Sequence, residues 1–182
     1  MLGGVRDGRI IAGDKGWWST LARSGGAIDL NTLNVLGAEV CGVSPTKPLP
    51  AAAEAAFIWR ALQQCRIPAL EALVGAGPGA PVALHLAALM GHDVKRLCLA
   101  CPAEAEHDPG ALKALPWRAI GVEATVIASE SNRAQAQMEL RAVTQNLPSL
   151  NAFHAVPAIT GPGAYIYEAH LMEDAIAAFM RA

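Results

Sequence analysis

Amphipathic segments and short, almost uninterrupted apolar runs alternate along most of the chain. Between residues 51 and 64, Ala55, Ile58 and Leu62 recur at helical spacing, which predicts an amphipathic helix. The apolar runs between later helices are typical of strands that are buried on both faces. Strands that alternate with helices predict a parallel sheet covered on both sides, which is an α/β fold. The predicted strands are 33–40, 69–75, 97–101, 122–129 and 151–158, and the predicted helices are 17–21, 51–64, 79–90, 132–147 and 168–181.

Residues 72–91 carry no charged side chain, and about 20 apolar residues would be long enough to cross a bilayer. However, three glycines and two prolines in the first half of this segment would break a membrane-spanning helix. A buried strand, a sharp turn and a buried helix explain the segment better. We therefore expect no membrane association.

Composition narrows the class of protein further. The 182 residues suit one domain, 1–182, and 53% hydrophobic with 16% charged residues exclude a disordered chain. A formal net charge of −2 lacks the basic excess that binding to nucleic acid requires. Four irregularly spaced cysteines without a secretory leader predict reduced thiols and a cytoplasmic protein.

The most informative segment is 73–80, with the sequence LVGAGPGA. A buried strand here ends in a turn with Gly75, Gly77 and Gly79 at alternate positions, and a helix of small residues follows. This is the layout of the nucleophile elbow of α/β-hydrolases, in which the central residue is held in a strained backbone conformation above the helix. Active enzymes have serine or cysteine at the centre. This chain has Gly77, which has no side chain.

Other interpretations of these glycines remain open. A dinucleotide-binding fingerprint would need glycine at Ala80 and an acidic residue after the next strand, and a phosphate loop would need a Gly-Lys-Ser/Thr ending. The backbone around Gly77, Pro78 and Gly79 could instead hold an anion at the start of the helix. A tight turn without any ligand fits the sequence equally well.

Several segments, in the same order, resemble the homoserine O-acyltransferase branch of the α/β-hydrolase superfamily, whose members acylate homoserine or serine on the way to methionine or cysteine. The resemblance implies a three-layer, mostly parallel α/β-hydrolase-like sheet. It also implies that Gly3 and Gly4 belong to the loop that binds the reacting oxygen, and that acyl-CoA was the ancestral co-substrate, with no other cofactor. The similar segments are 1–4, 16–18 (GWW), 27–29, 69–101, 126–133 (VIASESNR) and 161–165 (GPGAY).

The departures from this family concern its catalytic residues. Matched by position, Gly77 stands at the nucleophile, Asn132 at the acid and Pro162 at the histidine. A catalytic triad needs an imidazole that accepts the nucleophile's proton and a carboxylate that orients the ring. Loss of the nucleophile alone costs on the order of a million-fold in turnover. The sequence therefore predicts a catalytically degenerate homologue.

Such a homologue would act as a non-catalytic or regulatory companion in methionine or cysteine biosynthesis, bound to an active paralogue or to a second copy of itself. Relative to the family, the chain is expected to lack two N-terminal strands and almost all of the lid, with a remnant at 102–116. The shortened sheet would leave an exposed edge strand whose unpaired backbone groups could pair with a partner. The alternatives are a weak acyltransferase or small esterase with relocated residues, and a module that binds small anions.

The spacing of Cys98 and Cys101 is that of some metal and redox sites, and His107 would add a third ligand. Residues three apart on one strand point to opposite faces, so we expect two buried structural thiols and no metal. His154 and His170 flank the lost histidine position. Neither histidine could activate a nucleophile at the turn, because the turn has no serine or cysteine.

Overall fold

The computed structural model describes residues 1–2, 10–13, 15–38, 49–102, 120–129, 134–157 and 168–182. A minor two-stranded parallel ladder joins β1 to β2, and a larger sheet contains the other four strands. The strands are β1 (Ala22–Arg23), β2 (Ile28–Asp29), β3 (Leu73–Ala76), β4 (Arg96–Ala100), β5 (Glu123–Ser129) and β6 (Leu150–Val156). The helices are α1 (Ala51–Gln64), α2 (Gly79–Met90), α3 (Ala134–Asn146) and α4 (Glu173–Arg181), with short 3₁₀ turns at Gly91–Asp93 and Ala169–Met172.

The larger sheet is parallel throughout, in the order β3-β4-β5-β6. Beyond β3, Leu2 forms parallel bridges with Gly75 and with Ala38, so it lies between the edge of β3 and the segment that contains Ala38. Parallel strands need crossover connections, and in the described residues α2 lies between β3 and β4 and α3 lies between β5 and β6. The prediction of a mixed α/β fold with a parallel sheet is confirmed.

Apolar side chains fill both faces of this sheet, as the uninterrupted apolar runs predict. Leu97 and Leu99 of β4 pack into one layer with α1 and α2, whereas Cys98 and Ala100 pack into the opposite layer with α4. This alternation is the two-residue period of a strand, and both faces are covered because helices lie on each side. The sheet is therefore held between two aliphatic cores.

Most predicted elements match the structure. Helices 51–64 and 79–90 begin and end as predicted, and four predicted strands are present with shifted ends. The predicted strand at 33–40 is wrong over 33–37, which form no strand. Among the described residues of this segment, only Ala38 forms a bridge. Residues 39–40 lie outside the described part of the chain. The predicted helix at 17–21 is a series of turns, with the amides of Leu21 and Ala22 both donating to the Trp18 carbonyl.

In the described part of the chain, no helix has the length and apolar character needed to span a bilayer. The predicted lid remnant at 102–116 lies outside the described residues from 103 onward. That residues 1–182 form one domain stays a prediction.

A buried carboxyl group in α1 makes stability depend on pH. Glu54 is 4% exposed, and burial raises the pKa of its carboxyl group from 4.5 to about 7. Because the folded pKa exceeds the unfolded one, the stability that the protonated group contributes at low pH is lost as the pH rises towards and through 7. As the pH rises from about 5 to about 8, we expect the melting temperature of wild type to fall relative to the melting temperature of Glu54→Gln. Thermal unfolding of both proteins measures this difference, and a pH-independent difference would contradict it.

Candidate functional site

The strand-to-helix turn at the carboxyl end of β3 is the centre of the candidate site. β3 ends at Ala76, Gly77 has a left-handed backbone with a φ of +46°, and α2 begins at Gly79 after Pro78. All of these residues are buried. A left-handed φ is unfavourable for residues with a β-carbon and costs glycine little, and it is the backbone that the central residue of a nucleophile elbow adopts.

The approach of α2 to β3 depends on Gly75. A β-carbon at this position would lie 2.5 Å from the Ala83 β-carbon, 2.9 Å from the Ala80 α-carbon and 2.9 Å from the Gly79 carbonyl oxygen. Only glycine therefore allows the first turns of the helix to lie directly on the strand.

The backbone amides at the turn are largely occupied. The Gly77 N–H donates to the carbonyl of Ala100 on β4 at 2.9 Å, and the Ala80 N–H donates to the Gly77 carbonyl at 3.0 Å. Pro78 has no N–H. An anion at the start of α2 would lack these donors, and the anion-binding interpretation stays a prediction.

A cysteine follows the strand that contacts this turn. Cys101 comes directly after β4 and has a left-handed backbone, with a φ of +51°, and its N–H donates to the Ile127 carbonyl at 2.7 Å. Its side chain is 1% exposed, and its Sγ lies 3.8 Å from the Met172 Sδ. A non-glycine residue with such a backbone is uncommon. Sequence reasoning missed this position because nothing in the local sequence indicates a left-handed cysteine.

Cys98 and Cys101 belong to the same buried layer of side chains, which corrects the expectation that they face opposite sides. The strand period no longer applies to Cys101, because β4 ends at Ala100 and the left-handed residue turns the chain. Neither cysteine is in a disulfide. Burial raises the pKa of the Cys98 thiol, and Cys101 adds to the effect. Across the described ranges, no three histidine, cysteine or acidic side chains form a metal-binding group.

The structure does not bring His154 to the turn. Ala76, Ala100, Ile127 and His154 stand in register across four neighbouring strands, so His154 is three strand spacings away from β3. At about 4.8 Å per spacing this is about 14 Å, which is too far for a hydrogen bond to a group at Gly77. His170 is exposed in the 3₁₀ turn before α4.

The remaining predicted site residues lie outside the described residues: Gly3, Gly4, His107, Asn132 and Pro162. β5 ends at Ser129, three residues before Asn132, at the same edge of the parallel sheet as the turn. The roles assigned to these five positions stay predictions.

A parallel sheet between helical layers, with a left-handed residue in a sharp turn between a buried strand and a helix, is consistent with the α/β-hydrolase fold. Solved structures of three proteins support this fold. The chain is similar to homoserine O-acetyltransferase from Bacillus anthracis, with a TM-score of 0.66, 11% identity and coverage of 100% of this chain and 88% of that one.

The chain is also similar to a variant of esterase E22, with a TM-score of 0.66, 11% identity and coverage of 98% of this chain and 88% of that one. A variant of the meta-cleavage product hydrolase CumD has a TM-score of 0.63 and 11% identity, with coverage of 99% of this chain and 90% of that one. At these identities the similarity shows the fold. No protein-family model matches the chain, and no curated protein matches its sequence significantly.

Proposed function

We propose that this chain is a non-catalytic protein of the α/β-hydrolase fold, related to the homoserine acyltransferases. The observation that carries the proposal is Gly77, which occupies the left-handed position of the strand-to-helix turn. The fold keeps the position where a nucleophile would be held, and the residue there has no atom that can attack an acyl group.

The surroundings of the turn support the same conclusion. Cys98 lies in the neighbouring strand β4 and Cys101 directly after it, and both thiols are buried in the core. A thiol becomes a nucleophile as the thiolate, which burial in apolar surroundings disfavours. His154 is too far across the sheet to accept a proton at Gly77. Both observations support the absence of a nucleophile–base pair at the turn.

Activity assays test the absence of catalysis. The purified chain is incubated with homoserine and acetyl-CoA or succinyl-CoA while release of free coenzyme A is followed, and hydrolysis of p-nitrophenyl acetate is measured in parallel. We expect rates equal to those of the heat-denatured chain, and no labelling by a fluorophosphonate probe. An active homoserine acyltransferase serves as the positive control. Homoserine-dependent release of coenzyme A above the blank would overturn the proposal.

The proposed biological role is that of a companion that binds an active acyltransferase of methionine or cysteine biosynthesis in the cytoplasm. The other proposed partner is a second copy of the chain. The resemblance to homoserine acyltransferases and the loss of the nucleophile support this role. The measurement is the kcat/KM of the homoserine acyltransferase of the same cell, with and without the purified chain. We expect a change that saturates as the chain is added. An unchanged kcat/KM would contradict the companion role while leaving the absence of catalysis intact.

One observation favours a second candidate, a small esterase that uses Cys101. This residue has the strained backbone of an elbow residue and follows Ala100, whose carbonyl accepts the Gly77 amide. The burial of the Cys101 side chain argues against a role as nucleophile. We expect exposed Cys65 to react with a thiol reagent in the folded state, and Cys98 and Cys101 to react at least about a hundred-fold more slowly, as mapped by mass spectrometry.

Cys101→Ala separates the two candidates. Ester hydrolysis that is lost in Cys101→Ala and kept in Cys65→Ala would establish the esterase. If neither substitution changes the rate, the second candidate is excluded.

A further inference from the structure

A cavity of about 430 Å³ opens to solvent between the carboxyl end of α1 and the 3₁₀ turn before β4. Its size is within the range of about 300–1,000 Å³ that is typical of small-molecule pockets. The lining residues precede β3 or β4 along the chain, whereas the strand-to-helix turn follows β3, so the cavity lies towards the opposite end of these strands. It is lined by Trp59, Gln63, Arg66, Ile67, Pro68 and Asp93.

Arg66 has a backbone conformation that favours glycine. It directly follows Cys65, the C-cap of α1, and has a left-handed φ of +57°. The Arg66 N–H donates to the Gln63 carbonyl at 3.0 Å, and the Ile67 N–H donates to the Leu62 carbonyl at 2.9 Å. These two bonds form a Schellman motif, in which the left-handed residue is usually glycine. An arginine here costs backbone strain, and such strain is concentrated at active sites and ligand clamps.

Arg66 and Asp93 bring opposite charges to this cavity without pairing with each other. In the described ranges of the chain, the Arg66 guanidinium has no carboxylate within ion-pair distance. The Asp93 carboxylate has one partner in the same ranges, the exposed imidazole of His92 at 3.6 Å. The nearby cation Lys95 pairs with Glu71 instead, at 2.9 Å. Both charges that line the cavity are therefore available to a ligand.

An apolar surface lies beside these two charges. Trp59 and Ile67 are half-buried, pack against the core layer that contains α1 and α2, and also line the cavity together with Pro68. An indole ring offers a large flat face on which an aromatic or aliphatic group can lie. The Leu70 N–H donates to the Asp93 carbonyl at 2.7 Å, which joins the segment after Pro68 to the 3₁₀ turn. The site is therefore held in place before a ligand binds, which lowers the entropic cost of binding.

We propose that this cavity binds a free α-amino acid with a large apolar side chain. The carboxylate of the ligand pairs with Arg66, its ammonium group pairs with Asp93, and its side chain lies on Trp59. One cation and one anion beside an apolar surface suit a zwitterion, because Asp93 repels a simple anion and Arg66 repels a simple cation. A guanidinium also holds a carboxylate well, since it can donate two parallel hydrogen bonds to it.

Calorimetry with L-phenylalanine tests this proposal, in comparison with three analogues that each lack one group. Phenylpropionate lacks the amino group, phenylethylamine lacks the carboxyl group, and L-alanine lacks the apolar group. We expect saturable binding of L-phenylalanine and at least about tenfold weaker binding of each analogue. Absence of saturable binding up to about 10 mM L-phenylalanine, or equal affinity for any of the analogues, would overturn the proposal.

Arg66→Gly separates ligand binding from a structural role of this arginine. Glycine adopts a left-handed backbone with little strain, so we expect a melting temperature at least equal to that of wild type. The affinity for L-phenylalanine should fall at least about tenfold, because the carboxylate loses its partner. Arg60→Ala removes the same charge from an exposed position of α1 outside the cavity lining and should bind as wild type does. Unchanged affinity in Arg66→Gly would overturn the proposal.

Asp93→Asn tests the other charge through ligand preference. Without the carboxylate, L-phenylalanine loses a partner for its ammonium group and phenylpropionate is no longer repelled. We therefore expect the ratio of the two affinities to fall at least about fivefold, whereas Asp174→Asn, at an exposed position of α4, should leave the ratio unchanged. An unchanged ratio in Asp93→Asn would contradict the proposed orientation of the zwitterion and so overturn the proposal. All of these outcomes are independent of whether the chain catalyses acyl transfer.

Discussion

Gly75→Ala is expected to lower the free energy of unfolding by about 2–3 kcal/mol, because the added β-carbon has no space. It would lie 2.5 Å from the Ala83 β-carbon and 2.9 Å from backbone atoms of Ala80 and Gly79. None of these atoms is the end of a flexible side chain, so β3 and α2 must move apart. Urea unfolding of the two proteins, with equal m-values, measures the loss.

Two further variants test the cause of this loss. Ala83→Gly removes the nearest atom and by itself costs about 1 kcal/mol in helix propensity. The double variant should therefore lose less stability than the sum of the two single variants, since the contact between the two β-carbons is gone. Gly121→Ala is the control, because a β-carbon there has no neighbour within 4 Å. Strict additivity, or an equal loss in Gly121→Ala, would contradict the close approach of strand and helix.

Leu84→Ala is expected to lower the free energy of unfolding by about 2–5 kcal/mol. Leu84 in α2 is 0% exposed and lies in the core layer against the sheet, together with Leu97 and Leu99. Truncation removes buried methyl groups and leaves a cavity among aliphatic side chains that only partly relax. Chemical unfolding at neutral pH measures this loss as well.

Leu89→Ala in the same helix is the matched control for Leu84→Ala. Leu89 is 50% exposed, so its truncation should change the stability by no more than about 0.5 kcal/mol. The two variants change the same residue type within one helix, and they differ mainly in burial. Similar losses in both would contradict the orientation of α2 on the sheet.

The helices with clear local signals could be predicted from sequence, whereas segments that depend on distant partners could not. Helix 51–64 was indicated by helical periodicity and helix 79–90 by its run of alanine and leucine after the glycine turn, and both begin and end as predicted. The strand predicted at 33–40 has an apolar pattern, yet residues 33–37 form no strand. Whether an apolar run pairs depends on the backbone beside it, which the local sequence does not specify.

For the candidate site, too, the local turn could be predicted from sequence, whereas its contacts with distant segments could not. The spacing of Gly75, Gly77 and Gly79 indicated the turn, and Gly77 does have the left-handed backbone that this turn requires. The occupied Gly77 amide was not predictable, because its acceptor, Ala100, lies on another strand. The position of Cys101 beside Cys98 in one layer was likewise hidden, since the strand period fails where the strand ends.

The sequence by itself determined the alternation of strands and helices, the apolar character of both sheet faces and the absence of a side chain at the centre of the turn. These properties follow from residue types and their local spacing. Only the tertiary structure decided which backbone amides at the turn are hydrogen-bonded and which core layer contains the Cys101 side chain. Each of these depends on the register between segments far apart in the chain, which is fixed when their backbones pair and their side chains pack.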